Sequence, residues 1–354
     1  MSHKDRLVLV TGATGFVAGQ VIKNLLASKY HVRGTVRSVS DTKKHEHLRN
    51  LPGATSETLQ LVEADLTSTK GWEEVCKGCT SLMHVASPFP LKPVKNEELE
   101  LMKPAVEGTR IVLDSALKAG IKKAIVTSST AAVVYGRKPE EYSTTIFSEQ
   151  HWSVLENIKG YERSKTLAEK AVWDFHSKHQ GQMEIATVNP SFIVGPALSK
   201  NTFTSGDLIE RLLKGEVPAL PEMSVGVVDV RDVAKAHLLA LENPKSDGNR
   251  YLLVERTLWF SEIAQILDKE FRQYGYKIPS RVVGKWPIWF VSLFNKQVRS
   301  ALDRVGIYYK YDNSKSLNEL GLQYTPIEKS IIDMAYSLIE TGRVPDKIKI
   351  RKQD

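Results

Sequence analysis

Residues 7–18 read LVLVTGATGFVA, and this stretch decides the fold. Its first four residues are apolar on both faces, as expected of a strand buried within a parallel sheet. Gly12 permits a tight turn, and Gly15 lets the backbone approach a pyrophosphate at the positive N-terminus of a helix. The small Ala18 lets that helix pack closely on the strand. A strand, a glycine-rich turn and a helix in this order predict a dinucleotide-binding site.

Short β-branched runs alternate with longer helical patterns over the first 195 residues. The predicted strands are Leu7–Val10, His31–Val36, Thr58–Val62, Ser81–Ala86, Ala124–Thr127 and Ile185–Val188, and the main helices are 16–28, about 99–119 and about 159–179. Parallel strands need crossover helices, and this rhythm supplies them. We therefore expect the α/β class, with a Rossmann-type doubly wound parallel sheet.

The rhythm changes after Gly195-Pro196. Residues 197–225 carry loop and short-helix signals, Val225–Val230 is predicted to be a returning strand, and the chain from about Thr257 is mostly helical. We expect a dinucleotide-binding domain made of residues 1–195 and about 225–256. A smaller, mostly helical substrate-binding lobe, made of 196–224 and about 257–354, is expected over the carboxyl edge of the sheet, where open α/β sheets bind ligands.

Charge and cysteine content narrow the function classes. The chain has 354 residues and a formal charge of +8, from 49 Lys plus Arg against 41 Asp plus Glu. These cations are scattered rather than gathered on one element, which argues against a nucleic-acid partner. Cys76 and Cys79 have no second pair to complete a zinc site, so we expect inert thiols, no metal and a reducing compartment.

The longest apolar stretch, Trp286–Phe294, contains nine residues, far fewer than the ~20 that span a bilayer. We therefore expect no membrane partner and a cytoplasmic location. The aromatic side chains of this stretch are interpreted as core of the smaller lobe, with lining of the substrate pocket as the alternative; they are Trp286, Trp289, Phe290 and Phe294.

The end of the second strand indicates which dinucleotide binds. An NAD site usually has an acidic residue there for the ribose 2′-hydroxyl, whereas this chain has Arg37. A guanidinium suits a 2′-phosphate, and Lys43 and Lys44 follow in what is predicted to be a shared loop. The pattern predicts NADP(H).

Tyr161 and Lys165 are four residues apart on a predicted helix, so both side chains lie on one face. An ammonium beside a phenol favours the phenolate and lowers the phenol pKa, which would let Tyr161 exchange a proton with a carbonyl oxygen. Ser129 is predicted to polarise that oxygen. From the sequence alone, Ser128 and Thr130 remain alternatives to Ser129.

Two further strand ends are suited to the nicotinamide. Val85-Ala86-Ser87-Pro88 provides small residues where backbone would pass the nicotinamide ribose. Asn189–Pro196 contains two prolines and is predicted to be a rigid loop that holds the carboxamide, or simply a crossing between domains.

Together these motifs resemble the extended short-chain dehydrogenase/reductase superfamily, and within it the dihydroflavonol-4-reductase-like group, which includes fungal methylglyoxal/isovaleraldehyde reductases. The resemblance runs almost end to end. It includes Gly34–Arg37, His84–Pro88, Thr127–Ser129, Ser164–Glu169, Asp229–Ala234, Asp312–Lys315 and Glu319–Gly321.

The resemblance implies a catalytic triad at Ser129, Tyr161 and Lys165. It implies contacts of Arg37 and Lys44 with the 2′-phosphate, of Asp65 and Leu66 with adenine, and of two strand ends with the nicotinamide. The full expected cofactor set is Gly12, Thr14, Gly15, Phe16, Val17, Arg37, Lys44, Asp65, Leu66, Val85, Ala86, Ser87, Tyr161, Lys165, Pro190, Ser191, Phe192, Ile193 and Ser205.

Departures from the group narrow the substrate. Plant flavonoid reductases place an asparagine shortly after the serine, whereas this chain has the apolar Ala131–Val134. The Asn-Trp-Tyr signature of cinnamoyl-CoA reductases is replaced by Lys159-Gly160-Tyr161. We expect NADPH-dependent reduction of an aldehyde or ketone of modest size, by a monomer or homodimer. The alternatives are an epimerase or dehydratase of a nucleotide-linked sugar with retained cofactor, and a non-catalytic NADP-binding protein.

Overall fold

A computed structural model describes residues 6–87, 96–201, 203–292 and 302–351. The strands are β1 Leu7–Val10, β2 His31–Val36, β3 Leu59–Glu63, β4 Ser81–His84, β5 Lys123–Thr127, β6 Ile146–Phe147, β7 Glu184–Pro190, β8 Phe192–Val194, β9 Leu220–Pro221, β10 Ser224–Asp229, β11 Asn249–Leu253, β12 Arg256–Trp259, β13 Val282–Val283 and β14 Lys310–Tyr311. The helices are α1 Phe16–Ala27, α2 Thr42–Arg49, α3 Trp72–Cys76, α4 Lys103–Lys118, α5 Pro139–Thr144, α6 Gly160–Lys178, α7 Thr204–Lys214, α8 Val230–Glu242, α9 Phe260–Phe271 and α10 Lys285–Ser292, followed by Ser314–Asn318, Ile327–Glu340 and Lys347–Arg351.

The main sheet has seven strands in the order β11-β7-β5-β4-β1-β2-β3. All of its neighbouring strands pair in parallel. From β1 the chain proceeds outward to β2 and β3, then crosses to β4 on the other side of β1. The carboxyl ends of β1 and β4 therefore flank a topological switch point, where sheets of this kind open a crevice for ligands. The predicted Rossmann-type α/β fold is confirmed.

Both faces of the sheet are covered by helices, which explains why its inner strand β1 is apolar throughout. In β1, Val8 and Val10 face the cluster that includes Val21 and Ile22 of α1, while Leu9 faces the opposite cluster with Val112 of α4. This alternation is the two-residue period of a strand. Each of these fully buried side chains contributes about 1.5–3 kcal/mol by leaving water.

The later part of the chain forms its own apolar cluster and a second sheet. Leu212, Ile263, Leu267, Ile331 and Met334 are fully buried together, between α7, α9 and the helix Ile327–Glu340. A separate three-stranded sheet has the order β12-β10-β8. The mostly helical character predicted for the chain from about Thr257 is confirmed, with α9 and helix Ile327–Glu340 as its longest helices among the described residues.

Asp229 and Arg231 connect the two parts of the fold. The Asp229 carboxylate accepts a hydrogen bond from the Arg231 backbone N–H at 2.6 Å and thereby caps α8. The Arg231 guanidinium forms ion pairs with Asp229 at 2.6 Å and with Asp333 of helix Ile327–Glu340 at 2.7 Å. The segment Asp229–Ala234 singled out from the sequence therefore has a structural role here.

Two predictions about local backbone structure differ from the structure. The predicted strand Val225–Val230 is β10, Ser224–Asp229, but it pairs in the smaller sheet, and β11 is the strand that returns to the main sheet. The predicted rigid loop Asn189–Pro196 is largely extended, since β7 continues through Pro190 and β8 spans Phe192–Val194. Prolines are tolerated there because one ends a strand and the other follows one.

The prediction that the aromatic segment is core is wrong for its described members. The exposed fractions of Trp286, Trp289 and Phe290 are 81%, 46% and 61%, and Ile288 is the buried residue of this turn. The short helix α10 buries one narrow face, and three large side chains cannot share it. Phe294 lies outside the described residues.

No helix among the described residues combines the length and apolarity that crossing a bilayer requires. Cys76 and Cys79 are free and buried in the cluster beneath α3 and α4. Burial raises the pKa of the Cys76 thiol to about 12, and the prediction of inert thiols agrees with this environment because thiolate is the reactive form.

Candidate active site

The glycine-rich turn between β1 and α1 is held from both sides of the switch point. Gly12 has φ +68°, and a Cβ there would lie 2.9 Å from the Ala86 Cβ at the end of β4. The Gly12 N–H donates to Thr35 Oγ1 at 2.9 Å, and the Ala13 N–H donates to the Thr35 carbonyl at 2.8 Å. Only glycine allows this conformation and close approach together. The result is a cradle whose backbone can lie against a ligand.

Helix α1 begins at Phe16, with Gly15 as its N-cap. No side chain in the described part of the chain caps this end, so the N–H groups of the first turn are suited to bind an anion at the positive end of the helix dipole. The Phe16 ring stacks on Phe203 at 4.0 Å, and the Asn201 side chain donates to the Thr14 carbonyl at 3.2 Å. The segment before α7 thus borders the turn. Ser205, in the first turn of α7, is buried.

The predicted 2′-phosphate contacts lie beyond the end of β2. Arg37 is exposed, and hydrogen bonds from Thr67, followed by the charge of Arg37, hold the pKa of Asp65 below its usual value. Asp65, which follows β3, therefore lies near enough to Arg37 for the positive charge to lower its pKa. Leu66 is half-buried. Lys44 lies not in the predicted loop but on α2, where its ammonium pairs with Asp41 at 2.6 Å.

A buried hydrogen-bond chain fixes the end of β4. The Ala86 N–H donates to Thr11 Oγ1 at 2.9 Å, which leaves the Thr11 hydroxyl proton for His84 Nδ1 at 3.0 Å. His84 Nε2 then carries the ring proton and faces Thr109 Oγ1 at 3.5 Å. Burial and the nearby Lys165 lower the pKa of His84 to about 3, so the ring is neutral. This chain positions the backbone of Val85 and Ala86, and the described segment ends at Ser87.

Of the three adjacent hydroxyls after β5, Ser129 is the one that meets Tyr161. The Ser129 hydroxyl lies close enough to Tyr161 to lower the pKa of that phenol, and Ser129 Oγ accepts from the Ala131 N–H at 3.1 Å and donates to the Pro190 carbonyl at 3.4 Å. Ser128 instead donates to Glu169 at 2.5 Å, and Thr130 bonds to Tyr311. The structure thereby distinguishes hydroxyls that the sequence could not.

Lys165 lies one turn along α6 from Tyr161, with its Nζ 5.9 Å from the Tyr161 ring centre. It is 8% exposed and lines a small polar cavity with Ser87, Ser128 and Glu169. Burial lowers the pKa of Lys165 to about 8, although the Glu169 carboxylate acts in the opposite direction. A lysine with such a pKa exchanges protons readily near neutral pH.

The expectation that Lys165 lowers the pKa of Tyr161 is wrong for this structure. Burial raises the Tyr161 pKa to about 12, the Ser129 hydrogen bond opposes this, and Glu162 and Tyr135 add to the increase. The physical reason is that the Tyr161 phenol is itself buried, so the free-energy cost of forming a phenolate there dominates its pKa.

The residues after β7 reach the same edge of the sheet. The Pro190 carbonyl accepts from Ser129, and the buried Ser191 Oγ has no hydrogen-bond partner within the described part of the chain. Phe192 and Ile193 are half-buried in β8. A buried hydroxyl with no partner among the described residues, at the carboxyl end of β7, is an observation that fits a bound group with polar atoms.

Ala131–Val134 follows Ser129 and is buried. Val133 and Val134 pack in a cluster with Tyr142, Phe147 and Tyr309. Ala131–Val134 is therefore apolar because it forms part of the core.

The sequence analysis did not identify four residues that help to form this site. They are Thr35, His84, Glu169 and Arg250. Three lay inside motifs that were quoted, and the four-residue spacing of Glu169 from Lys165 was a usable signal. Arg250 is 81 residues from its partner Glu169, so no local pattern could have revealed it.

The fold, the switch point and the glycine cradle define a dinucleotide-binding protein of the Rossmann type. The chain belongs to the NAD dependent epimerase/dehydratase family, whose model matches residues 8–253. The predicted resemblance to the extended short-chain dehydrogenases/reductases is thereby confirmed.

Individual relatives cover nearly the whole chain. It is 36% identical over 344 residues to cinnamoyl-CoA reductase CAD2 of Medicago truncatula, covering 96% of this chain and 97% of that protein. It is 35% identical over 349 residues to tetraketide alpha-pyrone reductase 1 of Arabidopsis thaliana, covering 97% and 98%. Among solved structures, Gre2 in complex with NADPH from Candida albicans is 30% identical with a TM-score of 0.77, covering 95% of this chain and 99% of that one.

Proposed function

We propose that this protein reduces an aldehyde or ketone to an alcohol with NADPH, with Tyr161 as the proton donor and Lys165 and Ser129 assisting. The observation that carries the proposal is the approach of the Ser129 hydroxyl to Tyr161, with Lys165 one helical turn away, at the carboxyl edge of the sheet. Family membership and the reductase relatives support an NADP-dependent oxidoreductase of carbonyl groups.

The chain's own residues fit NADP(H). The glycine cradle and the N-terminus of α1 would hold the pyrophosphate, and Arg37 would hold the 2′-phosphate. Asp65 and Leu66 would contact adenine, with Val85–Ser87 and Pro190–Ile193 at the nicotinamide. Two observations favour this fit: the cradle that a Cβ at Gly12 would fill, and the unpartnered Ser191 hydroxyl. The remaining members of the proposed cofactor set are Thr14, Phe16, Val17, Lys44, Tyr161, Lys165 and Ser205.

When bound, NADPH supplies the hydride that the carbonyl carbon takes up. The Ser129 hydroxyl donates a hydrogen bond to the carbonyl oxygen and stabilises its growing negative charge. Tyr161 gives its proton to that oxygen, which completes the alcohol and leaves a phenolate. The Lys165 ammonium stabilises this phenolate. Because the Tyr161 pKa is about 12, the phenol keeps its proton at neutral pH, which suits reduction better than the reverse reaction.

The proposed substrate is a small, weakly polar carbonyl compound. Ala131–Val134 is apolar and buried, so this segment offers no group to grip the hydroxyls of a flavonoid. We place the substrate between the sheet edge and the lobe formed by residues 196–224 and about 257–354. We further propose that the protein works in the cytoplasm as a monomer or homodimer, which cell fractionation and light scattering would test.

The direct test is a panel of aldehydes and ketones assayed with the purified protein by loss of NADPH absorbance. We expect consumption of NADPH with at least one carbonyl compound and formation of the matching alcohol. If no carbonyl consumes NADPH, and nucleotide remains bound through dialysis, the protein is instead an epimerase or dehydratase with retained cofactor. If cofactor binds and exchanges freely without any turnover, the protein is a non-catalytic NADP-binding protein.

A further inference from the structure

A buried carboxylate continues the line of functional side chains along α6. Tyr161, Lys165 and Glu169 are spaced four residues apart, so all three lie on one face of the helix. The Glu169 side chain has no exposed surface. It shares the small polar cavity with Lys165 and Ser128. An isolated carboxylate in such a place would be strongly unfavourable, so its partners explain its presence.

Glu169 is hydrogen-bonded to the segments that carry the Ser129 hydroxyl. Its Oε2 accepts from Ser128 Oγ at 2.5 Å and from Asn189 Nδ2 at 2.7 Å. The Asn189 side chain also lies 3.3 Å from the Ser129 carbonyl, to which it donates. The other carboxylate oxygen accepts from Thr187 at 3.2 Å. Glu169 thereby ties α6 to the ends of β5 and β7, on both sides of Ser129.

The charge of Glu169 is balanced by Arg250 of β11. Arg250 Nε and Nη2 donate to the two oxygens of Glu169 at 2.6 Å and 3.3 Å. The third nitrogen, Nη1, donates to the carbonyls of Glu149 at 2.6 Å and His151 at 2.8 Å. The guanidinium lies 3.9 Å over the Trp152 ring. A buried ion pair seldom adds stability relative to apolar residues of similar size. A role beyond stability therefore accounts better for this pair.

Among the described residues, Glu169 is the carboxylate that lines the same cavity as Lys165 and raises its pKa. Tyr161 and Glu169 face it from α6, the neutral His84 faces it from β4, and Thr109 lines the same cavity from α4. Arg250 lies behind Glu169. Burial lowers the pKa of Lys165 to about 8, and Glu169 raises it toward the usual range. Removing the carboxylate would thus let Lys165 lose its proton at a lower pH.

We propose that Glu169, anchored by Arg250, is a positioning residue that keeps Lys165 charged and holds the Ser129 segment against Tyr161. The proposal relies on the proposed function for the roles of Ser129 and Lys165. It adds that the buried carboxylate of Glu169, next to Lys165 and the Ser129 segment, is also required. Its first test involves neither substrate nor cofactor.

The first test follows the charge of Lys165 directly in the cofactor-free protein. The ¹³Cε resonance of Lys165, in lysine-labelled protein and assigned with Lys165→Arg, is titrated with pH. We expect the midpoint to fall by about one pH unit in Glu169→Gln and to stay in place in the matched control Glu149→Gln. Glu149 also lies near Arg250, where its carboxylate accepts from the Leu252 N–H. An unchanged midpoint in Glu169→Gln overturns the proposal.

The second test uses the pH profile of carbonyl reduction. We expect Glu169→Gln to lose activity mostly on the alkaline side, with that limb moved toward lower pH by the same amount as the NMR midpoint. A uniform loss at every pH with an unmoved limb would mean a purely structural role. If Glu169→Gln does not fold, Glu169→Gln/Arg250→Gln removes both buried charges and answers the same question. Absence of any reductase activity in the wild type would refute the proposed function, while the NMR titration still decides the role of Glu169.

Discussion

The two ends of the proposed active site differ in how firmly the fold holds their charged groups. At the nucleotide end, Arg37 is exposed, and the Lys44–Asp41 pair stands in solvent with Lys44 68% exposed. At the proposed reacting end, Lys165 and Glu169 are buried and Tyr161 lies near the Ser129 hydroxyl. Exposed charges are screened and act almost independently, whereas buried ones act strongly and depend on one another. This difference predicts that substitutions at the exposed end change the affinity for NADPH without changing turnover at the buried end.

The largest effect is expected at the buried end. Tyr161→Phe removes the proposed proton donor but keeps the ring, so turnover should fall by about 10²–10⁴-fold. Binding of NADPH, measured by fluorescence titration, should change little. Unchanged turnover on an accepted carbonyl would mean that Tyr161 is not the donor, and that the two ends do not differ as described.

A smaller effect is expected from Arg37→Ala at the exposed end. Loss of a charged hydrogen-bond partner costs about 1.5–3 kcal/mol of binding free energy, and solvent screening places Arg37 near the low end. NADPH affinity should fall by roughly tenfold, NADH affinity should be unchanged, and kcat at saturating NADPH should be retained. Equal losses for both cofactors would contradict a contact with the 2′-phosphate.

The smallest effect is expected from Lys44→Ala. Asp41 already neutralises this ammonium at 2.6 Å, so NADPH affinity should fall by only roughly twofold to fivefold. Asp41→Asn is the matched opposite change, and it should tighten NADPH binding because Lys44 is released. The effects of both substitutions on NADPH affinity should become smaller as the salt concentration is raised. A loss in Lys44→Ala larger than that in Arg37→Ala would reverse the assignment of these two cations.

Much of the fold could be predicted because its signals are local. The apolar strands, the glycine-rich turn and the Tyr161–Lys165 spacing each depend on short-range periodicity, and the bounds of β1 and β2 agree with the prediction. Errors arose where a segment's partner lies far away in sequence. The pairing of β10 and the exposure of α10 are of this kind.

The sequence alone determined the class of fold, the dinucleotide site and the two residues that share one face of α6, because backbone geometry places residues four apart on a helix side by side. Only the tertiary structure decided that Ser129, rather than its neighbours, meets Tyr161, and that burial raises the pKa of that phenol. It also brought Arg250 to Glu169 across 81 residues. Solvent exclusion and long-range pairing arise from packing of the whole chain, and no short stretch of sequence records them.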